Sequence, residues 1–174
     1  MKNPAQLTWQ RVQQALSYCP LSGEFTWQIP GANRRKIGEQ AGVLDKSSGY
    51  VLVGLDGTQA YGHQLAYFWT KGVWAPRRDH RNRDRGDNRW ANLRLSTQSQ
   101  NTHNQLREKG RLPGAYKDSR SPSWFSSIRA HGKGVYLGVF PSEEEAHLAY
   151  PMASIFYYGE FSPFFPKENY DPAI

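Results

Sequence analysis

The chain has 174 residues, 38% of them hydrophobic and 14% aromatic, which is enough for one domain or two small ones with a core that leans on bulky rings. Twenty-two Lys and Arg against 15 Asp and Glu give a net charge of +7, a balance that points to a polyanionic partner. One cysteine, Cys19, excludes internal disulfides and zinc sites built on two or four thiolates, and no apolar run reaches membrane-spanning length. The N-terminus does not read as a secretory signal, so a reducing, cytoplasmic setting is expected.

Three blocks and a tail are expected, at residues 1–60, 61–110, 111–166 and 167–174. The first opens with a short helix: Thr8 caps it, Leu7 and Val12 staple its start, and Val12, Ala15 and Leu16 make one apolar face. Strand candidates follow at 23–28, 41–44 and 50–55, with Asp56-Gly57 as a hairpin turn. Between them Asn33, Arg34, Arg35 and Lys36 read either as a solvated loop or as a phosphate-contacting one.

The second block carries an apolar helix over 63–71, a polar segment over 77–94 and a hydrophilic helix over 97–109. Eleven of the 22 basic residues fall between Lys71 and Arg111, opposed there by Asp79, Asp84, Asp87 and Glu108. Charge concentrated on the polar segment is the footprint expected of a nucleic-acid partner. The third block reads as strands over 114–117, 123–130 and 133–140, a His131-Gly132 turn, and a helix begun by Ser142 with Glu145. Pro151 complicates that helix by removing a backbone donor. His103, His131 and His147 read as solvated, turn and exposed helix residues.

The chemistry is concentrated in Arg78-Asp79-His80, Asp87-Asn88-Arg89-Trp90-Ala91-Asn92-Leu93-Arg94 and Ser99-Gln100-Asn101. An Asp directly before a His places a hard oxygen ligand and a neutral-pH base on opposite sides of one strand. A helix starting near Thr97 and packed back on that strand brings Asn101 in as a second oxygen. These segments resemble the HNH nuclease motif, the ββα-metal fold, in the form found in phage homing endonucleases. The resemblance implies Asp79 and Asn101 as ligands of one divalent cation, Mg²⁺ or Mn²⁺, and His80 as general base. It implies Asn92 as the brace of the loop that holds His80. His63 is read as a structural histidine at a helix start, with a supporting or phosphate contact as the alternative. Arg78 stands where the family usually has an apolar residue, and Arg83 where it often has glycine.

Gly114-Ala115-Tyr116, Trp124, Tyr136-Leu137-Gly138-Val139-Phe140, Glu144-Glu145-Ala146 and Tyr158-Gly159-Glu160-Phe161 resemble the DNA-binding domain of plant ethylene-response factors. That resemblance implies a three-stranded sheet in the major groove, with Tyr116, Arg120, Trp124, Arg129 and Tyr136 as contacts. Alternation puts Trp124 and Arg129 on opposite faces of a regular strand, so one is buried or a bulge intervenes. Arg34, Arg35, Arg81, Arg89 and Arg94 complete the expected contacts as phosphate partners. The fold class is α+β: a small N-terminal sheet region, the ββα motif, then a three-stranded antiparallel sheet on one helix. The expected function is a site-specific, metal-dependent endonuclease of the homing type. It acts on double-stranded DNA in an infected bacterial cell, without membrane or obligate protein partner, and leaves 5′-phosphate and 3′-hydroxyl ends. With one motif per chain it nicks one strand. The alternative is a catalytically silent DNA-binding protein on the same scaffold.

Overall fold

In the computed structural model, residues 6–31, 35–74, 77–105 and 112–166 are described. Thr8 accepts the Arg11 amide and starts helix α1 at Trp9–Ala15, with Val12 and Ala15 fully buried. The chain leaves α1 directly into strand β1, Leu16–Tyr18, which pairs antiparallel with β2, Phe25–Trp27, and β2 with β3, Gln40–Ala41. A second sheet is formed by β4, Val43–Leu44, β5, Val51–Leu55, and β6, Thr58–Tyr61. Asp56 and Gly57 both take positive φ between β5 and β6, the geometry a two-residue hairpin turn requires.

Helix α2, Gly62–Lys71, ends on Gly72 in the left-handed region. Its Leu65, Ala66 and Phe68 join Val12, Leu16, Phe25, Val53 and Leu93 in one core. Burial of a side chain the size of Leu16 or Phe25 contributes roughly 2–3 kcal/mol. Trp69 fastens the helix to the N-terminal ribbon by donating its indole N–H to the Leu16 carbonyl at 2.9 Å. Two short strands close this half: β7, Arg78–His80, and β8, Leu93–Leu95, paired antiparallel as Arg78 with Leu95, Asp79 with Arg94 and His80 with Leu93.

The chain divides into two compact units at Ser96/Thr97. This differs from the expected breaks near residues 60 and 110, because a single core runs from Leu7 to Leu93 through both of the first two blocks. The 87–90 stretch shows why they do not separate. Tyr18 donates its hydroxyl to the Asn88 carbonyl at 2.7 Å, and Trp90 donates its amide to the Pro20 carbonyl at 2.9 Å. A Cβ on Gly23, which holds φ +77°, would overlap the Asn88–Arg89 backbone.

The second unit opens with α3, Gln98–Asn104, started by a reciprocal capping box between Thr97 and Gln100. Strands β9, Ala115–Lys117, β10, Trp124–Ala130, and β11, Lys133–Phe140, form an antiparallel sheet in the order β11-β10-β9. Helix α4, Glu143–Tyr158, covers one face of that sheet, with Ser142 accepting the Glu145 amide at its start. It continues through Pro151, which leaves the turn without the N–H that would bond residue 147. The molecule is therefore α+β with small antiparallel sheets. Among the described residues no helix is long and apolar enough to cross a membrane.

Candidate active site

Strand β7 carries three polar side chains and buries all of them: Arg78, Asp79 and His80 are 7%, 5% and 4% exposed. Alternation along the strand sends Arg78 and His80 to one side and Asp79 to the other. On the first side, α2 offers His63 and Tyr67, one helical turn apart. The His63 ring meets His80 edge-on with centroids 5.0 Å apart, and the Arg78 guanidinium lies 3.2 Å from the centre of the Tyr67 ring. Arg78 is accommodated in this buried place because an aromatic face receives its charge. Burial still pulls its pKa down to about 10, so it stays protonated at neutral pH. Tyr50 packs against both histidines, at 5.1 and 6.0 Å.

Desolvation lowers the pKa of both imidazoles. His63 is pushed down to about 3, by burial first and then by His80 and Arg78, and its Nδ1 is buried with no hydrogen-bond partner among the described residues. His80 is lowered by burial too, while Asn88 and the carboxylates of Asp79, Asp87 and Asp84 pull the other way. Its Nε2 lies 3.4 Å from the buried Asn88 Oδ1. A neutral imidazole at neutral pH is the form that accepts a proton.

The loop from His80 to Asn92 is tied by its own polar groups. Asn92 accepts the Asn82 amide on Oδ1 at 3.0 Å and donates Nδ2 to the Asp87 carbonyl at 2.8 Å, while its carbonyl takes the Arg81 amide at 2.9 Å. Asp87 accepts Asn82 Nδ2 at 2.7 Å and two Arg89 donors at 2.6 and 2.9 Å, and the Arg89 pair foremost holds its carboxyl below the usual range. Arg83 adopts φ +68°, a conformation that favours glycine, and donates its amide to the His80 carbonyl at 2.9 Å.

On the other side of β7, Asp79 is met by Arg94. The guanidinium donates Nε at 2.9 Å and Nη2 at 2.6 Å, both to Oδ2, and both side chains are buried. Arg94, expected among the phosphate contacts, is instead buried and paired in this structure with the carboxylate that is its register partner in the ladder. Arg35 lies 3.6 Å from the centre of the Trp27 ring. Arg34 lies outside the described residues. Arg89 is exposed and paired with Asp87, and Arg81 is half-buried.

In the second unit, α3 holds Asn101 half-buried, one turn from the cap. His103, expected to be solvated, stacks on Tyr158 with centroids 3.7 Å apart and shares a 2.9 Å hydrogen bond between Nε2 and Ser154 Oγ. His147, expected to be exposed, has Nδ1 within 2.8 Å of the Pro113 carbonyl oxygen. Both corrections have one cause, the packing of neighbouring chain on faces that helical spacing alone leaves open. On β10, Ser126, Ile128 and Ala130 are buried, while Phe125, Ser127 and Arg129 alternate to the open side. That side also bears Tyr116 and Tyr136, 37% and 62% exposed, with Phe125 between their rings at 5.3 and 6.5 Å. The irregularity falls on β11, where Leu137 is the extra residue, so β10 stays regular and Trp124 turns to the opposite face, half-buried with the Lys117 ammonium 5.2 Å from its ring. Trp124 does not share a surface with Tyr116, Arg129 and Tyr136. Arg120 is almost wholly exposed.

An HNH endonuclease family model matches residues 79–103, a stretch that contains Asp79, His80, Asn92 and Asn101. The match is 25 residues long and supports a nuclease-type, DNA-cleaving function. The curated proteins contain no match to the chain. The sequence reading missed Tyr67 as the seat of Arg78, Asn88 as the neighbour of His80, and the Asp79–Arg94 pair. Spacing of four between His63 and Tyr67 was the available signal for the first.

Proposed function

We propose that this protein is a divalent-metal-dependent endonuclease that hydrolyses a phosphodiester bond of double-stranded DNA, with His80 as general base. The observation that carries the reading is a buried imidazole, held neutral by desolvation, next to a buried carboxylate inside the stretch that matches the nuclease family. Asp79 and Asn101 are the proposed ion ligands and Asn92 the brace of the loop. The donor types, one carboxylate and one amide oxygen, would suit a hard cation in kind, and water and phosphate would be its other ligands. No group of three or more His, Cys, Asp or Glu among the described residues would form a fuller cage. When bound, Mg²⁺ or Mn²⁺ supplies Lewis-acid charge at the scissile phosphate and the leaving 3′ oxygen.

The protein's own steps are simpler. His80 takes a proton from water through the ring it keeps neutral, His63 and Tyr50 hold that ring in place and exclude solvent, and Asn92 fixes the loop above it. The open face of the second unit, with Tyr116, Arg129 and Tyr136, and the exposed Arg120 are proposed to meet DNA, in the manner of ethylene-response-factor domains. Homing-type recognition of one site, cleavage of a single strand, and action in the cytoplasm of an infected host extend the reading; the phage-enzyme resemblance supports them.

A second reading has its own observation. Arg94 neutralises the one carboxylate on β7, as a retired nuclease scaffold kept for DNA binding would tolerate. A supercoiled-plasmid assay with a library of target segments, Mg²⁺ or Mn²⁺ against EDTA, separates the two. Nicking at one place that requires metal and is lost in His80→Ala and Asn101→Ala supports the enzyme. Tight binding of one segment without a nick under any ion makes the protein a binder.

A further inference from the structure

Asp79 does not wait for an ion as an isolated charge. Arg94 stands opposite it in the β7–β8 ladder, turns to the same side, and gives Nε and Nη2 to Oδ2 at 2.9 and 2.6 Å. The two side chains are 6% and 4% exposed, so water screens neither, and the pair is close to neutral as a unit. A free divalent cation that approaches it meets a carboxylate already answered, and it is repelled by the guanidinium behind that carboxylate. No cluster of further acidic or imidazole groups among the described residues makes up the difference. A DNA phosphate brings the negative charge that is missing.

We propose that Arg94 is the resident counter-charge for Asp79, making firm capture of the ion conditional on bound DNA. The inference rests on the reading of Asp79 as an ion ligand. Because binding linkage is reciprocal, the ion strengthens DNA binding by the same factor that DNA strengthens ion binding. Arg94 acts through Asp79 and needs no contact with the substrate.

The test is a Mn²⁺ titration followed by electron paramagnetic resonance of the free ion. It uses the full chain carrying His80→Ala to prevent cleavage, with and without a duplex. The parent is expected to bind Mn²⁺ about tenfold more tightly when duplex is present, within the usual range of coupling between sites. Arg94→Gln is expected to bind the free ion about tenfold more tightly than the parent and to lose most of the duplex dependence. Arg94→Lys, which keeps the charge, is expected to follow the parent. Where Arg94→Gln is too unstable to titrate, its melting temperature is expected to rise more on adding Mn²⁺ than the parent's does, since the ion replaces the lost charge. Equal or weaker Mn²⁺ binding by Arg94→Gln, or an equal or smaller melting shift, overturns the proposal while leaving Asp79 a ligand. If adding Asp79→Asn to Arg94→Gln leaves Mn²⁺ binding unchanged, the ligand reading itself fails, and this proposal with it.

Discussion

Strand β7 and strand β10 invert the usual relation between polarity and burial. β7 hides an arginine, an aspartate and a histidine from water, each answered by a neighbour: Tyr67, Arg94 and Asn88. β10 and its neighbours leave tyrosines and a valine exposed on one face, over a buried side of small and aliphatic residues. Polar groups kept dry suit chemistry that needs fixed charges and a neutral base. Rings kept wet suit a surface that must find a partner. The difference teaches that mutations in the two places should fail in different ways, stability with the first and binding with the second.

The sharpest break is Asp79→Ala, which strands the buried Arg94 charge and should cost about 3–5 kcal/mol in a urea-unfolding experiment. An exposed substitution such as Arg129→Ala should stay within about 0.5 kcal/mol in the same titration. A loss below 1 kcal/mol for Asp79→Ala would show that the pair is solvated in solution. Asn92→Ala should come next, at about 2–3 kcal/mol, because it leaves the Asn82 amide and the Asp87 carbonyl without their partner.

The histidine pair makes stability acid-sensitive. His63 titrates near 6.5 in an unfolded chain and at about 3 in the fold, so the unfolded chain takes up its proton first. The stabilising contribution is present above the unfolded value and is lost as pH falls toward the folded one. From this group about 2 kcal/mol should disappear between pH 7 and pH 5. His63→Phe should flatten that slope in unfolding curves taken at the two pH values; an unchanged slope would place the titration elsewhere.

The open sheet face should behave in the opposite sense. Tyr136→Ala is expected to leave the unfolding midpoint unchanged and to weaken duplex binding roughly tenfold, about 1.4 kcal/mol, in a fluorescence-anisotropy titration. Retention of full affinity would remove this face from the DNA reading. The smallest effect belongs to Arg83→Gly, which relieves a left-handed backbone and should raise stability by up to about 1 kcal/mol, read as a modest rise in melting temperature.

Local signals were legible where the chain interacts with itself nearby. The Thr8 and Ser142 caps, the Asp56-Gly57 turn, α2 and the three strands of the second unit follow from capping, turn chemistry and periodicity. The Asp79, His80, Asn92 and Asn101 spacing is also visible, because a motif is a pattern of separations. What sequence does not carry is register between distant segments. Whether Arg94 faces DNA or Asp79 depends on which residue of β8 lies opposite Asp79, and a shift of one would have turned it to the other face. His103 was misread for a related reason: seven residues of helix show spacing but not that Ser154 and Tyr158 of α4 come to cover one side.

Gly23 has a consequence for how this protein can be cut and recombined. Its missing side chain lets the N-terminal ribbon lie flush on the Asn88–Arg89 backbone, inside the loop that carries the nuclease pattern. A fragment begun at Tyr61 would keep every residue of that pattern and lose the surface on which its loop is moulded. The folding unit is thus longer than the 25-residue stretch that matches the family model, and a fragment that keeps the packing on Asn88–Arg89 has to include Gly23 and the core around it.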